Sequence, residues 1–288
     1  MKIAAITMTY RDYWALSQWY AHYGRHLGPE NLFIIAHGAD PRVQELCPRA
    51  SVITVPRDKL DRFDQMRSQL MNNIRAGLLS LYDWVIQTDA DELICLDPDQ
   101  HASFPDLFAQ HKAPALFALG LNVAENAGDA EIASNAPALP DRPSAVFTGH
   151  YSKAWAASAP VSFARHGLAL GPRKLKRKPM VLPRGVYLAH LKFASMEALE
   201  TVNQVRRDVT QEEARGLPGT AWKKPDQTAR NFYIKFEKLE ERPWDEAEAD
   251  AFGKVATDPV RDTSKGILRA RSLRFDHRTR IPDRIRSF

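Results

Sequence analysis

Asp89 and Asp91, separated by one residue and followed directly by Glu92, stand immediately after the apolar run Trp84-Val85-Ile86-Gln87-Thr88. Two carboxylates at i and i+2 in an irregular turn can point to one side and hold a divalent cation whose other ligands are water and phosphate oxygens. An ion held there neutralises a diphosphate and makes it a better leaving group. Short acidic pairs are also common at solvated strand ends, so their meaning depends on where the chain places them. His190, in Tyr187-Leu188-Ala189-His190-Leu191-Lys192, offers a neutral imidazole suited to manganese. Its plain alternative is a packed, hydrogen-bonded histidine in an apolar strand. Lys192 and Lys153 could meet phosphate as point charges.

The elements that must position these groups follow from periodicity. Strands are expected at 3–9, 31–36, 51–55 and 84–88, and helices at 12–27 and 64–81, each helix joining one strand to the next. Asp12 is a plausible N-cap for the first helix, and Gly28-Pro29 stops it. Alternating strands and helices imply an α/β fold with a mainly parallel sheet. The acidic group then falls at the carboxyl end of a central strand, the edge at which open α/β sheets bind ligands. Further on, a strand is expected at 115–123, an aperiodic loop at 124–145, a strand at 186–193, and helices at 196–209 and 244–255. The expected organisation is a catalytic domain over 1–195 and a helical, basic C-terminal extension over 196–288.

Taken in order, Thr9-Tyr10-Arg11-Asp12-Tyr13, then Trp19-Tyr20-Ala21-His22-Tyr23 with Leu27-Gly28, then Tyr82 through Asp89-Ala90-Asp91-Glu92-Leu93-Ile94 resemble bacterial glycosyltransferases related to family 2, of GT-A fold. The resemblance covers about residues 1–100. It implies that Asp89 and Asp91 bind Mn2+ or Mg2+ and the diphosphate of a nucleotide-sugar donor, with Asp89 also near the ribose. It implies that Thr7, Tyr10 and Arg11 line the base and ribose pocket and that Asp40 contacts base or ribose. Arg11-Asp12 stands where the family carries Asn-Glu, and His37-Gly38-Ala39-Asp40 replaces a longer acidic turn, which leaves nucleobase choice open. GT-A enzymes commonly complete the metal site with a later histidine, the role His190 would take.

Inverting transfer needs a general base beside the acceptor hydroxyl. By chain order Glu125 is the candidate, with Asp129 behind it, and Glu92 could be a carboxylate facing the acceptor or a group supporting the ligands. Trp155, beside Lys153, is a candidate for stacking on an acceptor sugar, whereas Trp14, Trp19 and Trp84 read as core. Trp222 and Trp244 are further aromatics of the C-terminal part.

The 288 residues, 44% hydrophobic and 26% charged, form an ordinary globular mixture. Cys47 and Cys95 suggest neither a zinc clip nor a disulfide framework. No run approaches the roughly 18 apolar residues of a membrane span. Cytoplasmic placement is expected, peripheral at the inner membrane face if the basic segments engage it. Those segments are 172–184, with Arg173, Lys174, Lys176, Arg177, Lys178 and Arg184 and no acid, and 261–288, with nine Lys or Arg against three acids. Both attract phosphates of a nucleotide, a lipid or an anionic glycan. The resemblance to glycosyltransferases implies an acceptor that is a glycan or a lipid-linked sugar. A nucleotidyltransferase is the enzymatic alternative, although no Gly-rich basic loop follows the first strand. Nucleic-acid binding is disfavoured because the tail has only Phe275 and Phe288 among its basic residues.

Overall fold

The computed structural model describes residues 1–57, 63–133, 136–164, 166–212 and 224–288; Trp222 lies outside them. The chain opens with β1 (Ile3–Thr9), buried throughout, as a strand covered on both faces by helices must be. β2 (Leu32–His37), β3 (Ser51–Val55) and β4 (Trp84–Gln87) lie parallel to it in the order β3-β2-β1-β4. The crossovers carry α1 (Tyr13–Leu27), α2 (Pro41–Leu46) and α3 (Phe63–Leu78). Asp12 caps α1, its Oδ1 accepting from the Ala15 N–H at 3.3 Å, and Arg25 stands in the last turn, where positive charge suits the helix dipole. Gly28, at φ 84°, adopts a left-handed backbone that ends the helix without steric cost. The four expected strands and both helices of this half are therefore present, within a few residues.

The sheet then changes character. β9 (Ala154–Ala157) runs antiparallel to β4, and β6 (Ala115–Phe117) antiparallel to β9. A second six-stranded sheet has the order β13-β16-β8-β7-β12-β5. It contains β5 (Glu92–Leu96), β7 (Leu119–Ala124), β8 (Ser144–Phe147), β12 (Val186–Phe193), β13 (Glu240–Glu241) and β16 (His277–Arg280). A four-stranded antiparallel sheet joins β10 (Ser162–Ala164), β11 (Gly167–Ala169), β15 (Ile267–Arg269) and β14 (Val260–Asp262) in that order. The whole is a mixed α/β fold whose parallel strands are flanked by helices.

The strand expected at 115–123 is two strands in two sheets. Phe117 and Leu119 fall on either side of Ala118, whose N–H donates to Lys153 O at 3.1 Å. Ala-Leu-Phe-Ala-Leu-Gly-Leu is apolar throughout, so no polar residue marks the switch. Trp84 stacks on Phe108 at 4.2 Å and Trp155 on Phe108 at 5.6 Å, around α4 (Phe104–Gln110). Trp155 is fully buried there, which corrects its expected role: a core ring cannot stack on an acceptor.

Beyond residue 195 come α6 (Met196–Glu212), α7 (Pro225–Glu237) and α8 (Trp244–Thr257), helical as expected. The basic tail that follows is largely extended. β14 and β15 complete the four-stranded sheet, and β16 pairs with β8 through Thr279 and Ala145. Within His277-Arg278-Thr279-Arg280 the histidine and threonine are buried and the arginines turn outward, the period-two pattern of a half-buried strand written in polar residues. Arg284 of α9 (Asp283–Arg286) then clamps Asp97 after β5 with two bonds of 2.9 and 3.0 Å.

Candidate metal and diphosphate site

The acidic loop sits where β4 of the first sheet hands over to β5 of the second, and α1 holds it from behind. Trp19 Nε1 donates to Thr88 Oγ1 at 2.9 Å. The Tyr23 hydroxyl accepts from the Ile94 N–H at 3.1 Å, and the His22 ring donates from Nε2 to Ile94 O at 2.9 Å. Burial pushes the His22 pKa down to about 3, so that ring is neutral and can donate in this way. The Trp-Tyr-Ala-His-Tyr signature therefore serves as a buttress to the loop. From the other side the Leu191 N–H donates to Asp91 O at 2.7 Å, and the Glu92 N–H donates to Asp89 O at 3.1 Å.

The side chains converge tightly. One oxygen each of Asp89, Asp91 and Glu92 lie within 4.8 Å of one another, close to the roughly 4.2 Å between opposite ligands of an octahedral ion with oxygens at about 2.1 Å. His190 Nε2 is 3.2 Å from Asp91 Oδ2, while its Nδ1 is 2.8 Å from Asn122 Oδ1. An amide oxygen can only accept, so Nδ1 carries the proton and the lone pair of a neutral ring lies on Nε2, toward Asp91. Burial lowers the His190 pKa, against the opposing pull of Asp91. A lone pair facing a carboxylate oxygen leaves a place that a cation could fill, with Nε2 and Oδ2 3.2 Å apart as adjacent ligands of one ion can be. The Tyr151 ring, stacked 3.7 Å from His190, fixes the plane of the imidazole.

Arg67 and Lys153 lie on the Asp89–Glu92 side of the cluster. Asp89 is paired with Arg67 of α3 through Oδ1 and with Lys153 through Oδ2 at 3.2 Å. Lys153 Nζ also lies 2.8 Å from Glu92 Oε1, and Glu92 Oε2 accepts from the Asp89 N–H at 3.0 Å. Burial alone would raise the Asp89 pKa, but Arg67 and Lys153 outweigh it and hold the carboxyl well below the usual range. Glu92 has no solvent exposure; burial, partly offset by Lys153, pushes its pKa up to about 7. A carboxylate so enclosed does not face an acceptor: it is salt-bridged to Lys153 and accepts from the Asp89 N–H. Asp12 also lies close enough to Asp91 to feel its charge, and burial with that charge pushes its pKa up to about 6. Lys192 lies near Arg206, and burial is the main cause that lowers its pKa to about 8. Asp12, Asp91, Lys192 and Arg206 line one small cavity.

The remaining expected residues fall into two places. Thr7 is buried, and its Oγ1 has no hydrogen-bond partner among the described residues. Tyr10 and Arg11, in the loop after β1, form a cluster with Arg57 and His37: the Arg57 guanidinium lies 3.6 Å and that of Arg11 5.3 Å from the Tyr10 ring centre. Arg11 has a left-handed backbone, φ 52°. Asp40 caps α2, accepting from the Arg42 N–H at 3.1 Å and the Tyr13 hydroxyl at 2.8 Å. Glu125 is spoken for elsewhere. It accepts from the Met196 N–H at 2.6 Å at the start of α6 and pairs with buried Arg142 at 3.5 Å, and no contact among the described residues joins it to the acidic cluster.

An open cleft of about 700 Å³ extends from Asp89 and Lys153 between α3 and the β10–β11 hairpin. Arg67, Gln65 and Gln69 of α3 line one wall and Phe163 and His166 the other. Neither Arg67 nor Asn122 stood out in the sequence. Arg67 lies one turn into an amphipathic helix, like many surface arginines, and Asn122 gains meaning only through the β7–β12 register that sets it opposite His190.

No family model and no curated protein matches the sequence. Among solved structures, 4-diphosphocytidyl-2C-methyl-D-erythritol synthase is 16% identical over 46% of this chain and 65% of its own, with a TM-score of 0.29. Mannose-1-phosphate geranyltransferase from Thermus thermophilus is 9% identical over 98% and 74%, with a TM-score of 0.33. The apo-form glycosyltransferase GlyE of Streptococcus pneumoniae is 13% identical over 82% and 43%, with a TM-score of 0.26. The chain thus spans less than two thirds of the length of the first and the third. These are distant likenesses of chain path, and the functional reading rests on the site.

Proposed function

We propose that the chain is a metal-dependent glycosyltransferase of GT-A type that passes a sugar from a nucleotide-sugar donor to a glycan or lipid-linked acceptor. The observation that carries this reading is an Asp-x-Asp loop at the carboxyl end of β4 met by an imidazole whose Nε2 faces Asp91 at 3.2 Å. Asp89, Asp91 and His190 would hold Mn2+ or Mg2+, with Glu92 as a further carboxylate on the buried side. When bound, the ion supplies charge neutralisation to the departing diphosphate. Tyr10 offers a ring to the base beside Arg11 and Arg57; Thr7, fully buried in β1, supports that loop from within rather than meeting the ligand; and Asp40 shapes the neighbouring turn. Lys192 adds positive charge on the Asp91 side. Glu125, whose two oxygens are engaged, shapes the start of α6; as general base it would have to give up those bonds.

The test is a thermal-shift series with UDP, GDP, CDP, ADP and their sugars, with and without Mn2+. A ligand at a hundred times its Kd stabilises the folded state by about 2.7 kcal/mol, so one nucleotide should raise the Tm in Mn2+ and lose that effect in chelator. No nucleotide raising the Tm with Mn2+ present counts against the proposal. Nucleotidyl transfer is the second reading. Arg67 and Lys153 beside Asp89 would serve a triphosphate equally well, and product analysis separates the two: a nucleoside diphosphate from sugar transfer, pyrophosphate from nucleotidyl transfer.

Peripheral membrane contact belongs to the same proposal. Among the described residues no helix is long and apolar enough to cross a membrane. The short helix α5 (Pro172–Arg177) exposes Arg173, Lys174, Lys176 and Arg177. Binding to phosphatidylglycerol vesicles should therefore weaken as salt rises; binding that is absent or indifferent to salt makes α5 a solvated face only.

A further inference from the structure

Lys153 precedes β9, and its side chain runs back into the acidic cluster, with only 12% of it exposed. Its ammonium bridges two acids, 3.2 Å from Asp89 Oδ2 and 2.8 Å from Glu92 Oε1. Those two side chains, with Asp91, are the ones whose oxygens come within 4.8 Å of one another. The bridge therefore occupies the Asp89–Glu92 side of the cluster, while Asp91 meets the His190 imidazole on the other. A monovalent charge on the same oxygens is a direct competitor of a divalent ion, since both draw on one set of lone pairs and one local field. Lys153 also lines the cleft that opens from Asp89. Once released from the acids, its ammonium has this open cleft, which Arg67 also lines, beside it.

We propose that Lys153 is an exchangeable internal counter-ion: a divalent ion entering between Asp89, Asp91 and Glu92 displaces its ammonium, which then meets an anionic phosphate oxygen of the bound nucleotide. Metal and nucleotide binding are thereby coupled through one side chain. Without metal, Lys153 stabilises the clustered carboxylates and is withheld from the nucleotide. With metal, it adds a second positive charge to the diphosphate from the cleft side. Arg67 remains on Asp89 Oδ1, which keeps that carboxylate ionised through the exchange. The inference rests on the metal site proposed above and adds a role for a residue outside the Asp-x-Asp loop.

The experiment is calorimetric titration of Mn2+ alone, and then of the nucleoside diphosphate selected by thermal shift in saturating Mn2+, on wild type and on Lys153→Met, Lys153→Gln and Lys153→Arg. Removing the competitor should tighten Mn2+ binding in the Met and Gln variants by about tenfold and weaken nucleoside diphosphate binding by about tenfold. Lys153→Arg, which keeps the charge, should stay within about threefold of wild type in both. The opposed directions are the signature, since loss of packing alone would weaken both. Gln can still donate to Glu92, so it tests the idea even if the Met variant fails to melt cooperatively. Mn2+ binding to wild type with no tightening in either neutral variant overturns the Lys153 role and leaves the metal site standing. No Mn2+ binding in any variant overturns both.

Discussion

At the residue scale the proposed function sets protein cations and a metal in competition for three acids, and the His190 imidazole would favour the metal. Its Nδ1 is committed to Asn122 Oδ1 at 2.8 Å, so its Nε2 lone pair lies toward Asp91. Groups that orient a ligating histidine in this way typically contribute about 10–100-fold to metal affinity. Asn122→Leu should therefore weaken Mn2+ binding by about that factor with little change in the chelator-treated Tm. Unaltered Mn2+ affinity in calorimetry would show that the Asn122 bond is incidental. Asp89, Asp91 and His190 were legible in the sequence because carboxylate spacing after an apolar strand and a histidine in a later strand are themselves chemical statements. Asn122, Arg67 and the burial of Glu92 were not, because each depends on which strand or helix face meets the loop.

At the element scale the loop is positioned by a backbone junction as much as by side chains. The chain passes from β6 to β7 at Ala118, and Gly120 then packs against the segment that carries Tyr151, Ser152 and Lys153. A Cβ on Gly120 would lie 2.4 Å from Tyr151 C and 2.7 Å from Ser152 N, both backbone atoms that cannot rotate away. Gly120→Ala should thus push that segment off its place, costing about 1–3 kcal/mol as an overpacked core does and weakening Mn2+ binding through Tyr151, which stacks on the His190 ring. A melting curve and a Mn2+ titration like those of wild type would contradict the tight packing. The first four strands and their crossovers were readable because hydrophobic period and capping residues agree there, as at Asp12 and Gly28. The switch between sheets was not, because both strands and their link are apolar. β16 escaped because its buried positions are His277 and Thr279 rather than aliphatics.

At the scale of the whole molecule, buried and half-buried histidines held neutral by the fold shape the response to acid. Burial is the largest cause that lowers His22 and His166 to about 3 and His26 and His37 to about 4. These groups stay neutral when folded and take up protons near pH 6.5 when unfolded, so the stability they confer is present above about 6.5 and lost as pH falls toward about 4. Asp12 and Glu92, raised to about 6 and about 7, act oppositely: they favour the fold at low pH and lose that contribution as pH rises through those values. Four histidines against two acids leave the unfolded state binding more protons between about pH 4.5 and 6, each uncompensated proton being worth about 1.4 kcal/mol per pH unit. The Tm should fall as pH is lowered from about 6.5 to about 4.5; a flat or rising Tm would contradict this balance. The proposed function, however, depends on the ion. The most direct measurement is anomalous diffraction at the manganese edge from crystals grown with Mn2+ and a nucleoside diphosphate. The account predicts a single strong peak bounded by Asp89, Asp91 and His190 Nε2 with a phosphate oxygen beside it. The nucleotide bound with no anomalous peak there, and Asp89 still closed on Arg67 and Lys153, would contradict it.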